Sequence, residues 1–288
     1  MFSKTNIFSI YLSLCAFPLF FPSLGSTHTW SGQQYSANKS IQFKGALDQL
    51  KGYSFLGTEE VLDIGSGDGE ITSLIADLTQ GEVIGLDVDS SMVQHAISKY
   101  KKKNLKFHLG DALELSNQNQ FDLITSFNTI HWVQDQSRLL RRIRIALKPG
   151  GKILFGMPTI LSDEEVGTSL MVRILRNLSQ NPEWSPYLKN FKPPWNFFGR
   201  DEYEKFLKDA NFSTVKVEIT KKPFRLKNEQ AFIGWMKQIV PHLKHIPSQL
   251  RDRFLQRVLQ EYLKHVPLTD QGEVRLSHAQ LEVSAERK

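Results

Sequence analysis

The stretch Val61-Leu62-Asp63-Ile64-Gly65-Ser66-Gly67-Asp68-Gly69-Glu70 restricts the fold more than any other, because an apolar run breaks into three alternate glycines and then into a helical pattern. A short apolar run bounded by glycine reads as a buried strand, and Ile71, Leu74, Ile75 and Leu78 mark one face of the helix after it. Glycines at such a turn let the backbone pass close under a ligand and bring its amides near, which points to a nucleotide-like ligand.

The alternation continues along the chain. Val83-Ile84-Gly85-Leu86 is a second strand, followed by a helix carrying Met92, Val93, Ala96, Ile97 and Tyr100 on one side. Phe107 lies in a third strand and Phe121-Asp122-Leu123-Ile124 in a fourth. A helix from about Gln136 to Leu147 is stopped by Lys148-Pro149-Gly150-Gly151, and Ile153-Leu154-Phe155 is the fifth strand. After Pro158 the rhythm changes. Val166, Leu170, Ile174 and Leu178 form a helix face, and an aromatic and proline segment from Trp184 to Phe198 completes an inserted cap at about 158–198. The sheet pattern resumes with a helix near Asp201 to Asp209 and alternation at Val215, Val217 and Ile219. Two helices at about 226–265 carry Phe232, Trp235, Met236 and Ile239, then Leu250, Phe254, Val258 and Tyr262. A last strand holds Leu281, Val283 and Ala285.

Strands joined by crossover helices pair in parallel with right-handed connections. The expected class is therefore α/β: a Rossmann-like, seven-stranded, mostly parallel, doubly wound sheet with a helical and aromatic cap, occupying residues 27–288. Ligands of such sheets bind beyond the carboxyl ends of the strands.

Charge at those ends separates two ligand chemistries. A dinucleotide turn needs its third glycine three residues after the second, where this chain has Glu70, and it seats a pyrophosphate that Asp68 and Glu70 would repel. A ligand bearing an ammonium and a sulfonium, such as S-adenosylmethionine, suits the acidic surroundings. Asp87 ends the second strand, where a carboxylate can accept ribose hydroxyls, and Asp111-Ala112 ends the third, where an adenine edge would lie. Any one of these aspartates could instead serve as a helix N-cap.

With the D-x-G-x-G-x-G turn, the acidic second-strand end and the Lys148 to Gly151 turn in order, the chain resembles class I S-adenosylmethionine-dependent methyltransferases. That resemblance implies cofactor contacts at Tyr35, Asp63, Gly65, Ser66, Gly67, Gly69, Asp87, Val88, Met92, Asp111, Ala112 and Ser126, and no metal. Enzymes that methylate exocyclic amines place an Asn-Pro-Pro-aromatic turn after the fourth strand, and Ser126-Phe127-Asn128 departs from it. Ser126-Phe127 with His131-Trp132-Val133 resembles the juvenile hormone acid methyltransferases and is similar to trans-aconitate 2-methyltransferase. The resemblance extends over about 28–288, through Trp30 to Gln42, Phe198 to Tyr203 and Phe232 to Val283. It implies O-methylation of a small carboxylic acid, with Gln42 and Trp132 holding the substrate carboxylate. His131 stands beside them as a packed imidazole or a base. Trp184, Tyr187, Trp195, Phe197 and Phe198 would keep the site dry or simply pack a core.

The balance of 36 Lys plus Arg against 30 Asp plus Glu, net +6, is scattered along the chain and does not identify nucleic acid as a partner. Lys101-Lys102-Lys103 end a helix, where cations suit the dipole. Methylation of RNA or another polymer, and cofactor binding without turnover, stay open as alternatives, and a monomer is expected. The single cysteine, Cys15, allows no disulfide within the chain and no Cys-based zinc site. Residues 1–26 read as a signal-like or anchor segment. Because S-adenosylmethionine is a cytosolic metabolite, the expectation is a cytosol-facing anchor or a non-functional signal.

Overall fold

A computed structural model describes residues 40–161 and 168–288. Helix α1 (Ser40–Lys51) is followed by β1 (Val61–Ile64), α2 (Glu70–Leu78), β2 (Val83–Asp87), α3 (Ser90–Lys99), β3 (Leu105–Leu109), β4 (Phe121–Phe127), α4 (Gln136–Ala146) and β5 (Leu147–Pro158). Next come α5 (Thr168–Gln180), α6 (Ser185–Leu188), α7 (Arg200–Asp209), β6 (Phe212–Leu226), α8 (Glu229–Ile239), α9 (Arg251–His265) and β7 (Val274–Arg287).

The seven strands form one sheet in the order β3-β2-β1-β4-β5-β7-β6. Pairing is parallel from β3 to β5, and β7 runs antiparallel to both of its neighbours. This is the doubly wound α/β sheet that the sequence predicts. Its order reverses between β1 and β4, and that switch point opens a crevice at the carboxyl ends of the central strands. All four residues of β1 are buried, as both faces carry helices.

Two predicted helix faces are rotated. Helix α2 buries Thr72, Ser73, Ile75 and Ala76, and Leu78 is 43% exposed. The turn of the helix sets the Thr72 hydroxyl against Asp63 beneath the sheet's rim. In α3 the buried residues are Met92, Val93 and Ala96, and Ile97 is exposed. The Lys148 to Gly151 turn also differs from expectation. Helix α4 ends at Ala146, Leu147 already pairs with Phe121, and the next pair is Leu123 with Lys152, so the turn bulges within β5. Lys148 reaches back from it to Asp122 and Glu60, with Nζ at 2.8 and 3.2 Å from their carboxylates.

The cap and the second helical insertion form one unit. Strands β6 and β7 continue past the end of β5 as a two-stranded ribbon, where Leu226 pairs with Val274. Leu170 and Ile174 of α5, Phe232 and Met236 of α8, and Phe254 and Val258 of α9 share one core with Val274 and Leu276 of that ribbon. Trp184 sits inside it, 5.0 Å from the Phe254 ring. A separate core, containing Leu62, Ile124, Phe155 and Leu281, lies on one face of the sheet. Val166 and residues 1–39, with Cys15 and Tyr35, fall outside the described residues. Among the described residues no helix is long and apolar enough to cross a membrane.

Candidate active site

The turn after β1 is held by its own hydrogen bonds. The Gly65 and Ser66 amides donate to the Leu86 carbonyl at 2.7 and 3.1 Å, the Gly69 amide to the Ser66 carbonyl at 3.0 Å, and the Gly67 amide to Asp87 Oδ2 at 2.8 Å. The expectation that the turn aims its amides at a ligand is therefore corrected, because these four donors are spent internally. What the rim offers instead is acceptors, and acceptors suit a cationic ligand but not a phosphate.

The glycines have different tasks. A Cβ on Gly65, at φ +75°, would meet the Thr129 side chain at 2.1 Å, and one on Gly69 would meet Ala96 and Phe107 at 2.7 Å. Those two glycines serve packing. Beside Gly67, at φ +53°, a Cβ would meet nothing within 4 Å, so this is the open face of the turn.

Asp63 lies behind the turn, 2% exposed, with Oδ2 accepting from the Thr72 hydroxyl at 2.6 Å and Oδ1 from the Thr125 hydroxyl at 2.8 Å. Burial raises its pKa to about 6 against the opposing pull of the two hydroxyls, and the nearby Asp87 carboxylate adds to the rise. Asp87 ends β2 as predicted, but its carboxylate also accepts the Asp89 amide at 2.9 Å. Burial pushes its pKa up as well. With the Gly67, Val88 and Asp89 amides on it, the carboxylate still has acceptor capacity for a ligand hydroxyl. Asp111 caps the helical turn Ala112–Glu114 through the Leu113 amide at 2.9 Å, and Ala112 is buried.

Of the other predicted contacts, Met92 is buried and Val88 is 69% exposed. The Ser126 hydroxyl is fully buried and donates to the Ile64 carbonyl at 2.8 Å, tying β4 to β1. Ser66 is 6% exposed, and its hydroxyl has no hydrogen-bond partner among the described residues. Gln42 lies in α1, and its side chain, like Tyr35, falls outside what is described.

The segment after β4 is fixed from several sides. Asn128 takes φ +56°, tolerated by an Asn, and its amide donates to the Gly156 carbonyl at 2.7 Å. The helical turn Ile130–Trp132 follows. Gln136 donates to the Ile130 and Val133 carbonyls at 2.8 and 2.7 Å and accepts from the Tyr203 hydroxyl at 3.1 Å. The cap exit docks here too, with the Asn196 amide donating to the His131 carbonyl at 2.7 Å. The Trp132 ring lies 5.8 Å from that of Trp195, and His131 stacks on Phe197 at 6.5 Å. Only Trp195 and Phe197 of the five cap aromatics reach this segment by ring contact. Trp184 and Phe198 are core residues, and Tyr187 is 38% exposed.

His131 is 5% exposed, and burial followed by the nearby His278 lowers its pKa to about 3. It is a neutral imidazole, too weak a base to take a proton near neutrality. Sequence reasoning missed Thr72, Thr125, Thr129 and Asn196. Their only signal was position, since hydroxyl and amide side chains read as surface until their partners are known.

The acceptor-rich rim, the open face at Gly67 and the carboxylates of Asp63, Asp87 and Asp111 fit an adenosyl ligand that carries positive charge. Of Lys101 to Lys103, Lys102 is ion-paired with Asp77 at 2.6 Å. The family model described as "Methyltransferase domain" matches residues 57–211. Juvenile hormone acid O-methyltransferase of Drosophila melanogaster is 28% identical over 213 residues, which is 69% of this chain and 69% of that protein. Trans-aconitate 2-methyltransferase of Acidovorax sp. (strain JS42) is 24% identical over 244 residues, 81% of this chain and 88% of that protein. The YcgJ protein of Bacillus subtilis has a solved structure similar to this one, with TM-score 0.58 at 20% identity, covering 85% of this chain and 99% of that one. Phosphoethanolamine N-methyltransferase 2 of Haemonchus contortus, solved with S-adenosyl-L-methionine, has TM-score 0.56 at 20% identity over 89% of this chain and 56% of that one. The structural likenesses speak for the fold, and the family match joins the motif and the rim chemistry: the chain belongs to the methyltransferase domain family, as a class I S-adenosylmethionine-dependent methyltransferase.

Proposed function

We propose that the protein methylates the carboxylate of a small organic acid, forming a methyl ester. The observation that carries this reading is the packing of His131, buried between Trp132 and Phe197, where burial lowers its pKa to about 3 and leaves it neutral near pH 7. A carboxylate is already anionic at neutral pH and needs no proton removed before it attacks, whereas an alcohol or an ammonium does. The likeness to juvenile hormone acid and trans-aconitate methyltransferases supports the same acceptor class.

Ser66, the open face at Gly67, Asp87 and Asp111 would hold the cofactor. When bound, S-adenosylmethionine supplies an activated methyl group on a sulfonium, which becomes a neutral thioether once a carboxylate oxygen has taken the methyl. The chain's own work is positioning. Trp132, and Gln42 by resemblance, would donate N–H groups to the acid, and holding reactants in line is worth roughly 7–11 kcal/mol. Trp195 and Phe197, packed on Trp132 and His131, would exclude water and so weaken hydration of the carboxylate.

The test is the initial rate of S-adenosylhomocysteine formation with acetate, hexanoate, decanoate, benzoate and trans-aconitate, against amines and phenols, between pH 7 and 9. Turnover of acids at a rate flat with pH is expected. Turnover of amines or phenols with acids inert would overturn the proposal.

A further inference from the structure

Strand β7 carries an anomaly. Its apolar residues Ala279, Leu281 and Val283 face the core, so by the two-residue period His278, Gln280 and Glu282 should face solvent. Gln280 is instead 1% exposed, covered by α1. Gln49 of α1, 7% exposed, meets it there, and the two amides converge on Gly156 at the end of β5. A Cβ on Gly156 would lie 2.5 Å from Gln280 Nε2 and 2.9 Å from Gln49 Nε2, and one on Gly45 would lie 2.9 Å from Gln280 Oε1. Two positions without side chains therefore make room for the amides.

Both amide atoms of Gln49, Oε1 of Gln280, Nδ1 of His131 and Nε2 of His278 are buried without a hydrogen-bond partner among the described residues. Leaving so many polar atoms unpaired is costly, and a concentration of them calls for a ligand or a functional reason. The cluster adjoins the acceptor side: Gly156 accepts the Asn128 amide, and His278 is near enough to His131 to perturb it. Lys222, the cation that acts on His278, is held by Glu282 at 2.8 Å.

We infer that the Nε2 groups of Gln49 and Gln280, which both lie against Gly156, join Trp132 and Gln42 in seating the carboxylate of the methyl acceptor as neutral N–H donors, with His131 and His278 flanking them. Neutral donors orient the anion without pinning its charge, so they do not oppose its loss as the ester forms. A bound guanidinium or ammonium would. This inference rests on the acid-methylating reading above.

The test uses the full chain with Gln49→Met, Gln280→Met and the near-isosteric Gln280→Glu, on an acid that the wild type turns over. Melting curves check folding, and titration calorimetry with S-adenosylmethionine checks the cofactor site. Each Met substitution is expected to raise KM for the acid by about tenfold or more, with kcat changed by less than about threefold and cofactor affinity unchanged. Gln280→Glu should raise KM further by repulsion. If the Met variants fail to fold, Gln280→Glu alone decides. Folded variants with an unchanged KM overturn the seat while leaving acid methylation intact. A wild type that esterifies no acid removes the reading and the seat together.

Discussion

Replacing Asp63 by Asn should stabilise the protein while weakening its cofactor site. The carboxylate is buried, and its pKa stands at about 6 against an ordinary 3.8. That displacement corresponds to about 3 kcal/mol of cost for holding the charge at neutral pH. The sign follows from proton binding: the folded state holds the proton more tightly than the unfolded one, so the wild type loses stability as pH rises from roughly 4 to 6. An Asn keeps both partners, because one of the Thr72 and Thr125 hydroxyls can turn to accept from its amide. Urea unfolding without cofactor should show Asp63→Asn more stable than wild type by about 1–3 kcal/mol at pH 8, with the gap falling by roughly half at pH 5. Calorimetry should show S-adenosylmethionine binding at least about tenfold weaker, since a negative charge behind the rim is gone. Stability differences that stay parallel between pH 5 and 8 would refute the burial argument, and undiminished cofactor affinity would refute the electrostatic one.

Three further outcomes follow from the geometry. In the wild type, cofactor affinity should weaken by roughly tenfold between pH 7.5 and 5 as Asp63 takes up its proton, and a flat calorimetric profile would contradict this. Gly67→Ala should cost only about 1–2 kcal/mol for its left-handed backbone, whereas Gly65→Ala adds a collision with Thr129 and should cost clearly more in urea unfolding. Equal costs would show that the two glycines share one role. Asn196→Ala keeps the backbone bond to the His131 carbonyl but removes the side-chain amide that donates to the Val133 and His131 carbonyls at 3.3 and 3.5 Å, loosening the docked cap exit. It should raise KM for the acid acceptor severalfold without changing cofactor affinity, and a change confined to cofactor binding would place the cap exit elsewhere.

The sheet was legible because its signals are local. Val61 to Ile64, Val83 to Leu86 and Phe121 to Ile124 are apolar runs that only a strand buried on both faces can use, and the glycine turn marks where the first of them opens. The positions of Asp63, Asp87 and Asp111 at successive strand ends followed from that reading. What stayed hidden depends on partners distant in sequence. Thr72 and Thr125 are ordinary hydroxyl residues until β1 brings Asp63 between them, and Gln280 looks like a solvent-facing residue until α1 closes over it. The internal bonding of the glycine turn was invisible for the same reason, since three of its four bonds go to acceptors on Leu86 and Asp87. Likewise the cap and the later helices read as two insertions, because their common core is assembled across the β6–β7 ribbon.

The most direct test of acid methylation is to incubate the purified protein with methyl-deuterated S-adenosylmethionine and a mixture of small carboxylic acids, amines and phenols, and to locate the label by mass spectrometry. The label is expected on carboxyl oxygen, as a methyl ester that mild alkali cleaves to release labelled methanol. Label found on nitrogen or in an alkali-stable ether would contradict the account.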